Sequence, residues 1–114
     1  MKNIIMMVCL VFVGLSAQAQ EKKNKNAKYT FEVNGKCEQC KKRIEKAAYS
    51  VSGVKSAAWD VETHQLSLIV NEEKTTVLEV KKVIANVGHD TDDVKATKEV
   101  YDNLNACCQY DRKP

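Results

Sequence analysis

The chain has 114 residues, 44% of them hydrophobic and 29% charged, and a formal net charge of +3. So small a charge sets up no strong field for nucleic acid or an acidic lipid surface, and the length allows one small domain with a single core. Five cysteines against one proline make the cysteines the residues to explain.

Lys2, the apolar run from Ile4 to Leu15 and Ser16-Ala17-Gln18-Ala19 follow the charged, apolar and A-x-A pattern of an export signal. The apolar run falls short of the roughly 20 residues of a membrane span. Residues 1–19 are therefore expected to be removed near Ala19/Gln20, taking Cys9 with them. The mature protein is expected to be periplasmic or secreted, with no stable membrane association. Residues 20–27 have no apolar periodicity and are expected to form a flexible leader.

Tyr29, Phe31 and Val33 alternate with polar residues and predict a half-buried strand. Ile44, Ala47, Ala48 and Val51 then recur at helical spacing, with Lys41, Lys42, Arg43, Glu45 and Lys46 on other faces and Gly53 as the stop. A second strand is expected from about Val54 to Val61, with Ala57, Trp59 and Val61 on one face. The polar turn "ETHQ" leads to a third strand carrying Leu66, Leu68 and Val70, which makes a hairpin. Thr76-Val77-Leu78-Glu79 has capping-box form. It opens a second helix with Val77, Val80, Ile84 and Val87 inward and Gly88 as its stop. Val94 and Ala96 mark a weaker fourth strand. The order βαββαβ predicts an α+β, ferredoxin-like domain over residues 28–97, with two helices on one face of a four-stranded antiparallel sheet. Residues 98–114 form a tail bearing Cys107 and Cys108.

Topology does not select a function. The third strand, "QLSLIV", lacks the stacking aromatics of an RNA-binding sheet. No Ser/His/Asp or paired-carboxylate constellation stands out, so an enzyme is not expected. Glu72-Glu73 and Asp92-Asp93 are simplest as solvated turns. What remains is Cys37-Glu38-Gln39-Cys40, a Cys-x-x-Cys where the first strand gives way to the first helix. Three readings are open: a disulfide, a thiol-exchange pair, or a metal site. A disulfide here closes a very short loop and staples little chain. Thioredoxin-like exchange needs a proline opposite the motif, and Pro114 stands at the far end of the chain.

The succession of a strand, Cys37-Glu38-Gln39-Cys40, a helix ending in Gly53-Val54, the hairpin "DVETHQLSLIV" and "VGHD" at the second helix end resembles the heavy-metal-associated domain. That family includes copper chaperones, modules of metal-exporting ATPases and periplasmic mercury-binding proteins. The resemblance implies metal binding at Cys37 and Cys40. It also implies transient partners: a metal-transporting membrane protein or another metal-binding domain. It places His89 beside the metal loop, as a third ligand, as a group tuning release with pH or, more simply, as a surface histidine. One departure stands out. The family's Gly-Met-Thr before the first cysteine is replaced by Asn34-Gly35-Lys36, and the family's Met plugs the core beneath the loop. Gly35 and Lys36 are therefore expected to shape the loop differently. Gly35 leaves it mobile or lets another side chain fill the space, and the charge of Lys36 favours thiolate, as does the helix N-terminus.

A thiolate pair prefers soft ions. Two ligands satisfy Cu(I) or Hg(II) in near-linear geometry and leave zinc two short of its usual four. Adjacent Cys107 and Cys108 make a poor disulfide with each other. The roughly ten residues after Ala96 can span ~30 Å when extended, so one or both tail thiols can join the site, giving three or four sulfurs and bringing Zn(II) within range; a disulfide within the tail region or between chains is the rival. The basic helix face is either a docking surface or an ordinary solvated helix with Glu38/Lys42 and Lys41/Glu45 pairs. The functional expectation is extracytoplasmic binding and transfer of a soft metal ion, Cu(I) ahead of Hg(II). Thiol–disulfide exchange and passive storage or sensing by all four mature cysteines are the alternatives.

Overall fold

The computed structural model describes residues 23–112; the expected export signal lies outside the described residues. Strand β1 (Ala27–Glu32) is followed by helix α1 (Glu38–Tyr49), strands β2 (Val54–Trp59) and β3 (Gln65–Val70), and helix α2 (Val77–Asn86). A short helix α3 (Lys98–Asp102) and a 3₁₀ turn (Ala106–Cys108) follow in the tail. The sheet order is β1-β3-β2, all antiparallel. Ala27, Phe31, Ala57, Trp59, Leu66, Leu68 and Val70 turn their side chains into one core with Ile44, Ala47 and Ala48 of α1 and Val80 and Ile84 of α2. The period-2 and helical patterns thus converge on a single buried layer.

The helix boundaries follow local chemistry. Thr76 Oγ1 accepts from Glu79 N at 3.3 Å and caps α2. At the other end Gly88 adopts φ 110°. Gly88 N donates to Ala85 O and His89 N to Ile84 O, the paired bonds of a left-handed helix terminator.

The second strand stops at Trp59 rather than Val61. Asp60 Oδ1 accepts from the amides of Glu62 and Thr63, and His64 sits at φ 62°, so these backbone groups serve a turn instead of a ladder.

The expected fourth strand is absent among the described residues, and the sheet has three strands. Thr91 forms a lone bridge to Val33. Beyond it the backbone bonds close locally. Thr91 N donates to Val94 O, Val94 N to Thr91 Oγ1, and Ala96 N to the Asp90 carboxylate. Asp92 and Asp93 are drawn to Lys81, at 2.9 and 3.1 Å. Val94 and Ala96 therefore have no amides left in register for β1.

The tail is folded onto the end of the domain that carries the cysteine loop. Leu104 is buried on Gly88, where a Cβ would come within 2.8 Å of its Cδ2. Tyr110 Oη donates to Gly88 O at 2.7 Å and accepts from Asp90 N at 2.9 Å. Arg112 holds the buried Asp90 carboxylate with two bonds, Nε–Oδ2 at 2.9 Å and Nη2–Oδ1 at 2.8 Å. Tyr101 packs edge-on against Tyr110, and its hydroxyl bonds the Tyr110 carbonyl.

Candidate metal centre

Cys37 is the N-cap of α1, in extended conformation, and its carbonyl accepts the first helical bond from Lys41 N at 3.0 Å. At the cap position the Cys37 sulfur lies beside the first-turn amides of Gln39 and Cys40, without a formed side-chain cap bond. These amides, the Cys40 amide foremost, lower its pKa from 9.0 to about 7. Lys36 is exposed, and the leading causes of the shift are the local amides and neighbouring thiols. Cys40 lies one turn into the helix and is fully buried. Burial pushes its thiol up to about 11.

The two sulfurs are 3.7 Å apart. Cys108 brings a third. Its Sγ is 3.8 Å from Cys37 Sγ, and all three sulfurs lie within 4.8 Å of one another. Cys107 stands at the rim. Its side chain is exposed, its thiol donates to Gln39 Oε1 at 3.1 Å, and its sulfur is 3.9 Å from Cys108 Sγ. Its carbonyl oxygen lies 3.5 Å from Cys37 Sγ, so the tail backbone roofs the loop. All four cysteines among the described residues are free thiols.

The space beneath the loop is filled by the indole of Trp59. A Cβ built on Gly35 would meet Trp59 Cη2 at 3.0 Å and Cys40 Cβ at 3.1 Å. The ring is 1% exposed, and its Nε1 donates to Val33 O at 2.9 Å. Trp59 is thus the side chain that occupies the space next to Gly35.

His89 does not join the sulfur cluster. It is fully buried, contrary to a surface histidine. Its Nδ1 donates to Asn34 O at 2.8 Å, while Arg43 Nη1 approaches Nε2 at 3.4 Å and Tyr110 stacks on the ring. With a donor on Nε2, the ring is the neutral Nδ1–H tautomer. Burial lowers its pKa accordingly. Its work is to join the loop, α1 and the tail.

The basic helix face is partly spent on the fold as well. Lys41 bonds Glu45 and the Trp59 carbonyl, and Glu45 accepts from Trp59 N. Lys42 and Lys46 remain exposed.

The heavy-metal-associated domain model matches residues 30–90. The chain belongs to that family of small metal-binding domains. Among solved structures it is similar to the CopZ metallochaperone, at 30% identity and TM-score 0.55, covering 57% of this chain and 98% of that one. It is also similar to oxidized MerP from Ralstonia metallidurans CH34, at 28% identity and TM-score 0.56, covering 58% and 93%. The N-terminal domain of a potential copper-translocating P-type ATPase from Bacillus subtilis, in the Cu(I)-loaded state, shares the fold at 22% identity and TM-score 0.55, covering 64% and 99%. No curated protein sequence matches the chain. The family match ends at Asp90, so the segment carrying Cys107 and Cys108 lies wholly outside it.

Proposed function

We propose that this protein is an extracytoplasmic carrier of soft metal ions, Cu(I) ahead of Hg(II), which binds its ion as thiolates of Cys37 and Cys40. The observation that carries the proposal is the pair itself: two free thiols 3.7 Å apart at a helix N-terminus, in a family of metal-binding domains. Cys37 supplies a thiolate at neutral pH, and Cys40 surrenders its proton as the metal–sulfur bond forms. Soft sulfur donors favour Cu(I) and Hg(II) over hard ions. The family membership of a metallochaperone and a copper-translocating ATPase domain supports transient exchange with a metal-transporting membrane protein or a second metal-binding domain. The export pattern in residues 1–19 supports a periplasmic or secreted site of action, and an N-terminus at Gln20 in the protein isolated from its host would test it.

The functional test is an anaerobic Cu(I) titration against a competing chelator. Tight binding by the reduced protein, lost in the Cys37→Ser/Cys40→Ser variant, is the expected result. Failure of the unaltered protein to compete for Cu(I) and then for Hg(II) would remove the proposal. A nucleophilic Cys37 beside a buried Cys40 also suits thiol–disulfide exchange. Steady reduction of a disulfide substrate by catalytic amounts of the protein would favour that second reading.

A further inference from the structure

We propose that the tail completes the metal site: Cys108 is a third thiolate ligand, and the ion is held by three sulfurs instead of a linear pair. The proposal rests on the metal-carrier reading above. A metal–sulfur bond of ~2.3 Å requires sulfurs about 4.6 Å apart for two ligands in a line, and about 4.0 Å apart for three in a plane. Cys37 stands 3.7 Å from Cys40 and 3.8 Å from Cys108. Both separations are too short for a linear ion and fall in the range of three or four sulfurs converging on one ion, and the third stays within 4.8 Å.

Sulfur–sulfur association does not explain how Cys108 reaches this position. It is delivered by contacts that involve no thiol: Leu104 on Gly88, Tyr110 between Gly88 and Asp90, and Arg112 on Asp90. The same anchoring separates the two tail cysteines. Cys108 is fully buried against the pair, whereas Cys107 is exposed and engaged with Gln39. Cys107 is therefore excluded from the three.

Transfer follows from the separate origin of the third ligand. Cys37 and Cys40 sit together on the α1 end of the domain, while Cys108 belongs to a segment that can withdraw. An incoming thiolate from a partner forms its bond to the metal as the Cys108–metal bond breaks. Cys108 then takes up a proton from solvent, and the coordination number stays at three throughout.

The test is X-ray absorption on the monomeric, reduced protein loaded with one equivalent of Cu(I), without added thiol. Three sulfur neighbours are expected in the unaltered protein and in Cys107→Ser, and two in Cys108→Ser. Two sulfurs in the unaltered protein, unchanged by Cys108→Ser, overturn the inference and leave the two-thiolate carrier standing. Three sulfurs that fall to two in Cys107→Ser overturn the assignment to Cys108. Should Cys108→Ser misfold, the exposed Cys107→Ser variant decides by elimination. Absence of binding with both Cu(I) and Hg(II) overturns the inference together with the carrier reading on which it rests.

Discussion

Trp59 and Gly35 share one space: a side chain on Gly35 would meet the indole edge at 3.0 Å. The indole performs from β2 the filling that the family's Met performs from the loop. Gly35→Met should therefore overpack the site and destabilise the protein by about 1–3 kcal/mol, measured by urea denaturation. Combined with Trp59→Leu, the same Met should cost less than on its own. The favourable coupling in that double-mutant cycle is the result that shows one cavity with two mutually exclusive fillers. Strict additivity would show that the loop accommodates both.

The tail should detach as a unit. Arg112 is the counter-charge for the Asp90 carboxylate, whose side chain is 2% exposed, while that of Arg112 is 25% exposed. Arg112→Ala should cost about 1–3 kcal/mol, below the full penalty for a buried pair because solvent reaches the arginine. Arg112→Lys should recover little, since one ammonium cannot reproduce two parallel bonds. Hydrogen exchange is expected to show residues 98–112 losing protection while β1 and β3 keep theirs.

The two family cysteines should give the metal-free protein opposed pH responses. Cys37 has a folded pKa of about 7 against an ordinary 9.0, so the unfolded chain binds the extra proton between these values. Its stabilising contribution is present above pH 9 and lost as pH falls through 7. Cys40 is raised to about 11, so its contribution is present below pH 9 and lost as pH rises through 11. Stability attributable to this pair should rise from pH 7 to 9 and fall from 9 to 11. Cys37→Ser should abolish the rising limb in anaerobic denaturation curves.

Metal binding should release protons by the same rule. In the Cys108→Ser variant only the Cys37–Cys40 pair remains in the site. Each Cu(I) should displace two protons well below pH 7 and one between about pH 8 and 10, because Cys37 is already a thiolate there. Proton counting in weakly buffered solution reads this directly. A constant release across that range would contradict the lowered pKa of Cys37.

Much of the scaffold was legible because its signals are local. The alternation of Leu66, Leu68 and Val70, the helical spacing of Ile44, Ala47 and Ala48, and the Thr76–Glu79 cap each act within a few residues and appear as expected. The Cys37–Cys40 pair is local as well. The failures involve competition or distance. Val94 and Ala96 read as a strand, but Asp90 and Thr91 capture the amides a ladder would need. His89 was placed near the loop by resemblance, yet its burial depends on Asn34, Arg43 and Tyr110, three separate segments. Trp59 as the filler under Gly35, and Cys108 rather than Cys107 as the inward sulfur, depend on contacts across the fold that no periodicity encodes.

The return of the tail separates two properties that a metal-binding domain usually holds in one place. Residues 30–90 carry the family fold with Cys37 and Cys40, while the proposed third ligand sits on an appendage anchored on Gly88, Asp90 and a turn of its own at Asn105. Under that proposal, recoding Cys108 alters how many donors the ion meets while Cys37 and Cys40 stay on the family domain, whereas trimming the appendage also removes Leu104 and Tyr110 from the core they share with the sheet.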